Sequence, residues 1–312
     1  MRIAIFGTGG VGGYFGGRLA AAGEEVTFIA RGATLAALRE RGLIVESGKG
    51  DFAVRPAAAT DDPGQVGVVD AVLLAVKAWQ VGEAAGRLQP LLGDGSVVVP
   101  LENGVEAPGQ LVAAFGPGAV AGGLCQIVAF QVAPGRIRHA GLEPAIAFGE
   151  LDRRPSPRLE RLRRSFERAG VNARIPADIE VAMWEKFLFI ASLSGLGAVT
   201  RVPAGVVRSL PETRELLVGA LAEIAAVARA RGVSLPADAT ERTLAFIDAL
   251  PGEATASMQR DIMAGRPSEL EAQNGAVVRL GRAAGVATPV AAFVYAALLP
   301  QERRARGDAS AS

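Results

Sequence analysis

Close to its N-terminus the chain reads "RIAIFGTGGVGGYFGGRLAAAG", an apolar run followed by Gly7-x-Gly9-x-x-Gly12 and then a helical pattern. Few backbone paths fit that spacing between a strand and a helix. Gly7 makes a tight turn, Gly9 lets the backbone approach a pyrophosphate, and Gly12 lets the helix pack closely on its strand. An anion then sits at the helix N-terminus, where unpaired N–H groups and the macrodipole favour negative charge. In a chain with 39 glycines the spacing alone would carry little weight; its place in the first strand–helix turn gives it force. Gly7, Thr8, Gly9, Gly10, Val11 and Gly12 are the candidate phosphate loop of a dinucleotide-binding unit.

The rest of the first half alternates short apolar runs with helical patterns, the signal of a parallel sheet with crossover helices. Candidate strands are "RIAIFG", "EVTFIA", "DAVLLAV", "SVVVPL" and "AVAGGLCQIV". The middle three are apolar on both faces, as helix-covered strands should be. "LIVESGKGDFAVRP" reads as an inserted hairpin around Ser47-Gly48, and from Ile137 to Glu150 an antiparallel style of alternation is expected to close the sheet. After "ARIPADI" the texture turns to long Ala, Leu, Arg and Glu stretches at helical spacing. The fold class is therefore α/β: a Rossmann-type domain over residues 1–174 and an all-helical domain over 175–312, with a polar tail, 301–312, expected to be frayed. A chain of 312 residues is long enough for two such cores.

Composition excludes several functions. A net charge of +1 and 5% aromatics offer no basic stripe or stacking platform, so no nucleic-acid partner is expected. One cysteine, Cys125, rules out an internal disulfide and suits a reducing cytoplasm. Glycines interrupt the first apolar run too early for a signal peptide. The uncharged segment from Ala283 to Gln301 contains Gly285, Pro289 and Pro300 and reads as a buried helix rather than a membrane span. There is no Cys/His metal spacing, no Walker A loop and no G-x-S-x-G elbow. His139, the only histidine, stands in the strand-like "GRIRHAG" and reads as structural.

The strand "EVTFIA" ends at Ala30-Arg31, where an NAD site would place an acid for the ribose hydroxyls. Arg31 can instead pair with a 2′-phosphate, which predicts NADPH over NADH. The chemistry points to lysine. The chain has 30 Arg and only three Lys, at 49, 77 and 186; Arg cannot be deprotonated in a protein, whereas a Lys pKa can be lowered to serve as an acid. In "MWEKFLFIASLSG" a helix would align Lys186, Ile190 and Ser194 on one face, beside apolar Met183 and Phe187. Lys77 and Asn103 each follow a strand, where ligands of an open parallel sheet bind. Ser268-Glu269-Leu270-Glu271 reads as a capping box, with Ser268 as N-cap, Glu271 at N3 and Glu269 at N1.

Taken together, "GTGGVGGYFGGRLA", "ARG" at 30–32, "VKAWQ", "ENGV", "WEKF" and "SMQRDI…SELE…NG" resemble the ketopantoate reductase (2-dehydropantoate 2-reductase) family, in order and over the chain to about residue 300. The resemblance implies a Rossmann domain followed by a helical domain of the 6-phosphogluconate dehydrogenase C-terminal type, with the active site in the cleft between them. It carries the catalytic lysine onto Lys186 and the catalytic glutamate onto Glu269. Cofactor-side and lysine-positioning roles fall on Lys77 and Asn103, and a substrate contact falls on Ser257. The implied reaction is hydride transfer from NADPH to the ketone of a small 2-oxo acid, ketopantoate in pantothenate biosynthesis, with Lys186 protonating the alkoxide. The family's Asn residues one and two turns after the lysine are here Ile190 and Ser194, and its "QNG" is Glu102-Asn103-Gly104. A different 2-oxo acid, or a related carbonyl or imine, is the alternative substrate; a non-catalytic NADP(H)-binding sensor is the alternative function. The apolar helical half leaves monomer and homodimer both open.

Overall fold

The computed structural model describes residues 1–141 and 143–308. It divides into two compact units, Met1–Glu102 with Ala107–Ile179, and Asn103–Glu106 with the chain from Glu180 onward.

In the first unit, strands β1 (Arg2–Phe6) and β2 (Glu25–Ile29) flank helix α1 (Gly10–Ala21), and α2 (Gly32–Arg41) follows. Strands β3 (Leu43–Ser47) and β4 (Phe52–Val54) form the expected hairpin; then come β5 (Ala59–Thr60), β6 (Ala71–Leu74), α3 (Val81–Leu88), β7 (Val97–Pro100) and α4 (Ala107–Phe115). Strands β8 (Ala121–Gln126), β9 (Ala129–Ala133), β10 (Arg136–His139) and β11 (Ala145–Glu150), helix α5 (Pro157–Arg168) and strand β12 (Asn172–Arg174) complete it.

The main sheet is parallel, in the order β5-β2-β1-β6-β7. Every residue of β6 and β7 is buried, which is why these strands read as unbroken apolar runs. The chain moves outward from β1 in both directions, so β1 and β6 frame the topological switch point where open sheets bind ligands. The later strands do not close this sheet. β10 instead joins β3 in parallel and β9 antiparallel in a second sheet, and β11 pairs with β8 and β12 in a third. Among the described residues a single isolated bridge, Val98 to Val120, links the parallel sheet to the approach of β8. Alternation marks a half-buried strand but does not name its partner.

The second unit contains α6 (Ile179–Thr200, whose first residue counts with the first unit), α7 (Ala204–Ser209), α8 (Pro211–Ala230), α9 (Ala239–Ala249) and α10 (Ser257–Met263). A π-helical turn over Glu271–Gly275 leads into α11 (Ala276–Ala284), and α12 (Pro289–Arg306) follows. α6 is apolar nearly all round because it is the core: Trp184, Phe187, Leu188, Ala191 and Leu196 are buried among residues of the helices around it. It is the one described helix long and apolar enough to cross a membrane, with 67% of its apolar window buried inside the protein. Helix α12 turns Ala291, Val294, Leu298 and Glu302 inward. The expected fraying from Gln301 does not hold as far as Arg306, because Glu302 is buried and accepts from Ser268 N and Oγ and from Arg306 Nε. Residues 309–312 lie outside the described residues.

Candidate active site

Within the first unit the phosphate-loop residues gather at the carboxyl end of β1. Gly7 has φ +98°, and a Cβ there would lie 2.7 Å from the Ala75 carbonyl oxygen, so the turn needs glycine twice over. A Cβ on Gly12 would lie 2.0 Å from the Gly7 carbonyl oxygen, and one on Gly10 2.3 Å from that of Ala129. At Gly9, by contrast, a Cβ would meet nothing within 4 Å. Gly9 is the residue before the first turn of α1, and no side chain caps it. The loop is thus walled by protein at Gly7, Gly10 and Gly12 and open at Gly9, the shape that a pyrophosphate at a helix N-terminus needs. Thr8 is buried, its hydroxyl directed at the Ile29 carbonyl at 3.4 Å, and Val11 packs against the core.

The ends of the neighbouring strands adjoin this loop. Ala75 N donates to Phe6 O, which brings the chain after β6 beside Gly7. Lys77 is exposed there, its ammonium 5.7 Å from the centre of the Trp79 ring. Glu102, two residues past β7, is buried and accepts from Val76 N at 3.3 Å. Arg31, just past β2, is exposed and donates from Nη2 to Glu83 Oε1 of α3 at 2.8 Å.

Within the second unit, Lys186 is half-buried on α6, with Met183 and Phe187 buried beside it. Its ammonium has no hydrogen bond or ion pair among the described residues. One turn on, Ile190 is partly exposed; two turns on, Ser194 is fully buried. The Ser194 hydroxyl lies 2.5 Å both from Ile190 O and from Gln273 Oε1 on the π-helical turn. Glu269 is 6% exposed, and its Oε2 accepts from Asn103 Nδ2 at 3.0 Å. Ser257 is half-buried at the first position of α10.

The expected capping box does not form. Ser268 N is taken by Glu302, Ser268 Oγ accepts from Leu270 N rather than from Glu271 N, and Glu271 accepts from Tyr295 and Arg279. Burial, the hydrogen bond to Glu271 and the charge of Glu271 push the Tyr295 phenol up to about 12, so it remains a neutral donor. Among the described residues no group of three or more His, Cys, Asp and Glu is placed to hold a metal ion. His139 is buried with Nδ1 2.8 Å from Ser47 Oγ and its ring against Tyr14.

Comparison with known proteins places the chain in a family. Residues 3–153 match the model of the family described as ketopantoate reductase PanE/ApbA, and residues 178–302 match that of its C-terminal part. The chain belongs to the ketopantoate reductase family. It is 31% identical over 298 residues to the uncharacterized oxidoreductase YkpB of Bacillus subtilis, covering 96% of this chain and 98% of that one. It is 32% identical over 319 residues to a 2-dehydropantoate 2-reductase of Mesorhizobium japonicum, covering 95% and 96%. Among solved structures, a PanE/ApbA family ketopantoate reductase from Ralstonia eutropha JMP134 superposes with a TM-score of 0.89 at 30% identity, covering 98% of this chain and 100% of that one. The chain is thus an oxidoreductase of this family, with its dinucleotide-binding fold.

Two features of this family member escaped the sequence. Gln273 has no pattern signal, because it faces α6 only through the π-helical turn, in which Gly275 N reaches back five residues to Leu270 O. Its Nε2 and the neighbouring Asn274 Oδ1 are buried without a hydrogen-bond partner among the described residues. Arg260, one turn after Ser257, is the second. Burial pushes its guanidinium below the ordinary arginine range against the pull of Asp261, and nothing in the spacing of α10 announces that burial.

Proposed function

We propose that this reductase converts the ketone of a 2-oxo acid to the 2-hydroxy acid with NADPH as reductant, with ketopantoate the first candidate substrate and pantothenate biosynthesis the corresponding pathway. The observation that carries the reading is the buried Glu269 carboxylate held by the Asn103 amide at 3.0 Å, in the same unit as the Lys186 ammonium, which is unpaired among the described residues.

NADPH, when bound, supplies the hydride. Gly7 to Gly12 and the N-terminus of α1 would hold its pyrophosphate, and the open side of Gly9 fits that role. Arg31 would take the 2′-phosphate, since no acid stands at that strand end to claim a ribose hydroxyl. Lys77 would face the cofactor from the end of β6. Lys186 would stabilise the developing alkoxide and donate its proton to that oxygen. A lysine suits this step because its ammonium can give up a proton and an arginine cannot. Glu269 would hold the substrate hydroxyl or the lysine in place, and Ser257 would contact the substrate.

Ile190 favours a second reading within the same chemistry. An apolar, partly exposed side chain one turn beyond the lysine cannot bond a substrate hydroxyl, and a site lacking such a bond does not select for one. A 2-oxo acid with a branched or aromatic apolar side chain would suit that surface. The deciding experiment is the initial rate of NADPH oxidation with ketopantoate, 2-oxoisovalerate and phenylglyoxylate, for the parent and for Lys186→Ala. The lysine variant should lose about 10²- to 10⁴-fold in kcat with every acid the parent accepts; parent-level turnover would overturn the mechanism. A higher kcat/KM for the two acids without a hydroxyl would favour the second reading.

A further inference from the structure

Residues 103–106 lie between β7 and α4 in sequence, yet they belong with the helical unit. Each is attached to it. Asn103 donates to Glu269. Gly104, at φ +121°, passes so close to the π-helical turn that a Cβ would lie 2.9 Å from the Ala272 carbonyl oxygen. Val105 packs on the helical core. Glu106 Oε2 accepts from Arg279 Nη2 of α11 at 2.8 Å. The same guanidinium donates to Glu271 Oε2 and to Glu271 O, each at 2.9 Å, and Tyr295 OH holds the other Glu271 oxygen. One arginine therefore ties the far end of a four-residue segment to the turn that follows Glu269. Its near end carries the amide on Glu269.

We propose that Arg279 is a positioning residue: it fixes Glu106 to the π-helical turn and thereby keeps the Asn103 amide on the Glu269 carboxylate. The proposal rests on Glu269 acting in the reaction. A planar guanidinium fits, since it can serve two carboxylates and a carbonyl at once where an ammonium is a single point of charge. Ion pairs as exposed as these add little to stability. Their loss should therefore show in placement and rate rather than in melting.

The test is a double-mutant cycle run with the 2-oxo acid that the parent turns over fastest. Arg279→Met should lower kcat by about 5- to 50-fold, the scale of a small misplacement of a reacting group. The KM for NADPH and the unfolding midpoint should hold. Arg279→Lys should recover part of the rate and Glu106→Gln lose a smaller part. Adding Arg279→Met to Asn103→Ala should cost less than about twofold beyond Asn103→Ala alone, because coupled groups are not additive. Hydrogen exchange at residues 104–106 should quicken about tenfold in Arg279→Met while α6 stays protected. Full kcat in Arg279→Met, or additive losses in the cycle, would overturn the proposal. If Lys186→Ala keeps its turnover, or the parent reduces none of the acids, the functional reading fails by itself. Exchange then judges the clamp, and unchanged rates at 104–106 overturn it.

Discussion

Arg31 meets Glu83 in a contact whose two side chains are both more than half exposed, so the pair itself contributes little. Its interest is chemical. A 2′-phosphate carries more charge than one carboxylate and offers a guanidinium two oxygens at once, so it should displace Glu83 from Arg31. Arg31→Ala should weaken NADPH binding by about 10- to 100-fold, corresponding to charge-assisted bonds of about 1.5–3 kcal/mol. NADH binding should change less than about twofold, since it has no phosphate there. Glu83→Ala should tighten NADPH a few-fold at low salt and do nothing at high salt, where exposed charges are screened. Titration of both nucleotides by fluorescence checks this, and an unchanged NADPH-to-NADH ratio in Arg31→Ala would refute the assignment. At this scale the sequence draws the eye to a residue that breaks a habit, as Lys186 does among 30 arginines. It pointed to Asn103 and Glu269 singly but not to their contact, which spans 166 positions of chain.

Among elements, the first βα turn separates two kinds of glycine. Gly12 is hemmed in by the Gly7 carbonyl, Ile5 and Ala75, whereas Gly9 opens to space. Gly12→Ala must move backbone, and overpacking of this kind costs about 1–3 kcal/mol or more. Gly9→Ala should leave the unfolding midpoint in place and weaken NADPH binding instead, since its methyl would stand where the phosphate approaches. Scanning calorimetry together with nucleotide titration of both variants distinguishes the two effects; a normal midpoint in Gly12→Ala would mean that α1 is not pinned to β1 as described. The parallel strands were legible because burial on both faces writes an unbroken apolar run. The partners of β10 and β11 were not, because an alternating strand can join any edge of matching polarity. The π-helical turn was hidden too. Its extra residue is set by Asn274 bonding Ala191 O and by Gln273 meeting Ser194, both contacts with α6 and neither a local preference.

On the scale of the whole molecule the two units have separate cores, and their responses to acid differ in origin. In the first unit Glu24, whose side chain is only 5% exposed, joins the α1–β2 turn to the Met1 ammonium and to Arg168 of α5. Burial alone would raise its pKa from 4.5. The hydrogen bonds from the ammonium, Ser165 and Arg168 outweigh burial, and the carboxyl titrates below that value. A group whose folded pKa is depressed stabilises the fold fully above its unfolded pKa and loses that contribution as pH falls through the folded one. Glu24 should therefore support the first unit at pH 7 and lose that contribution progressively as pH falls below 4.5. Asp248 in the second unit is also held low, first by Arg214, but that pair is largely solvated and should matter less. Glu24→Gln removes the charge and keeps the shape. At pH 7 it should lower the stability of the first unit by about 1–3 kcal/mol, as loss of hydrogen bonds to a charged group does. With units of this size, a loss of that order should move the midpoint by several degrees. As pH falls below 4.5 the parent should lose stability and the variant should not follow, so the two melting curves converge. A gap that stays constant between pH 7 and pH 3 would mean that Glu24 acts through packing rather than charge.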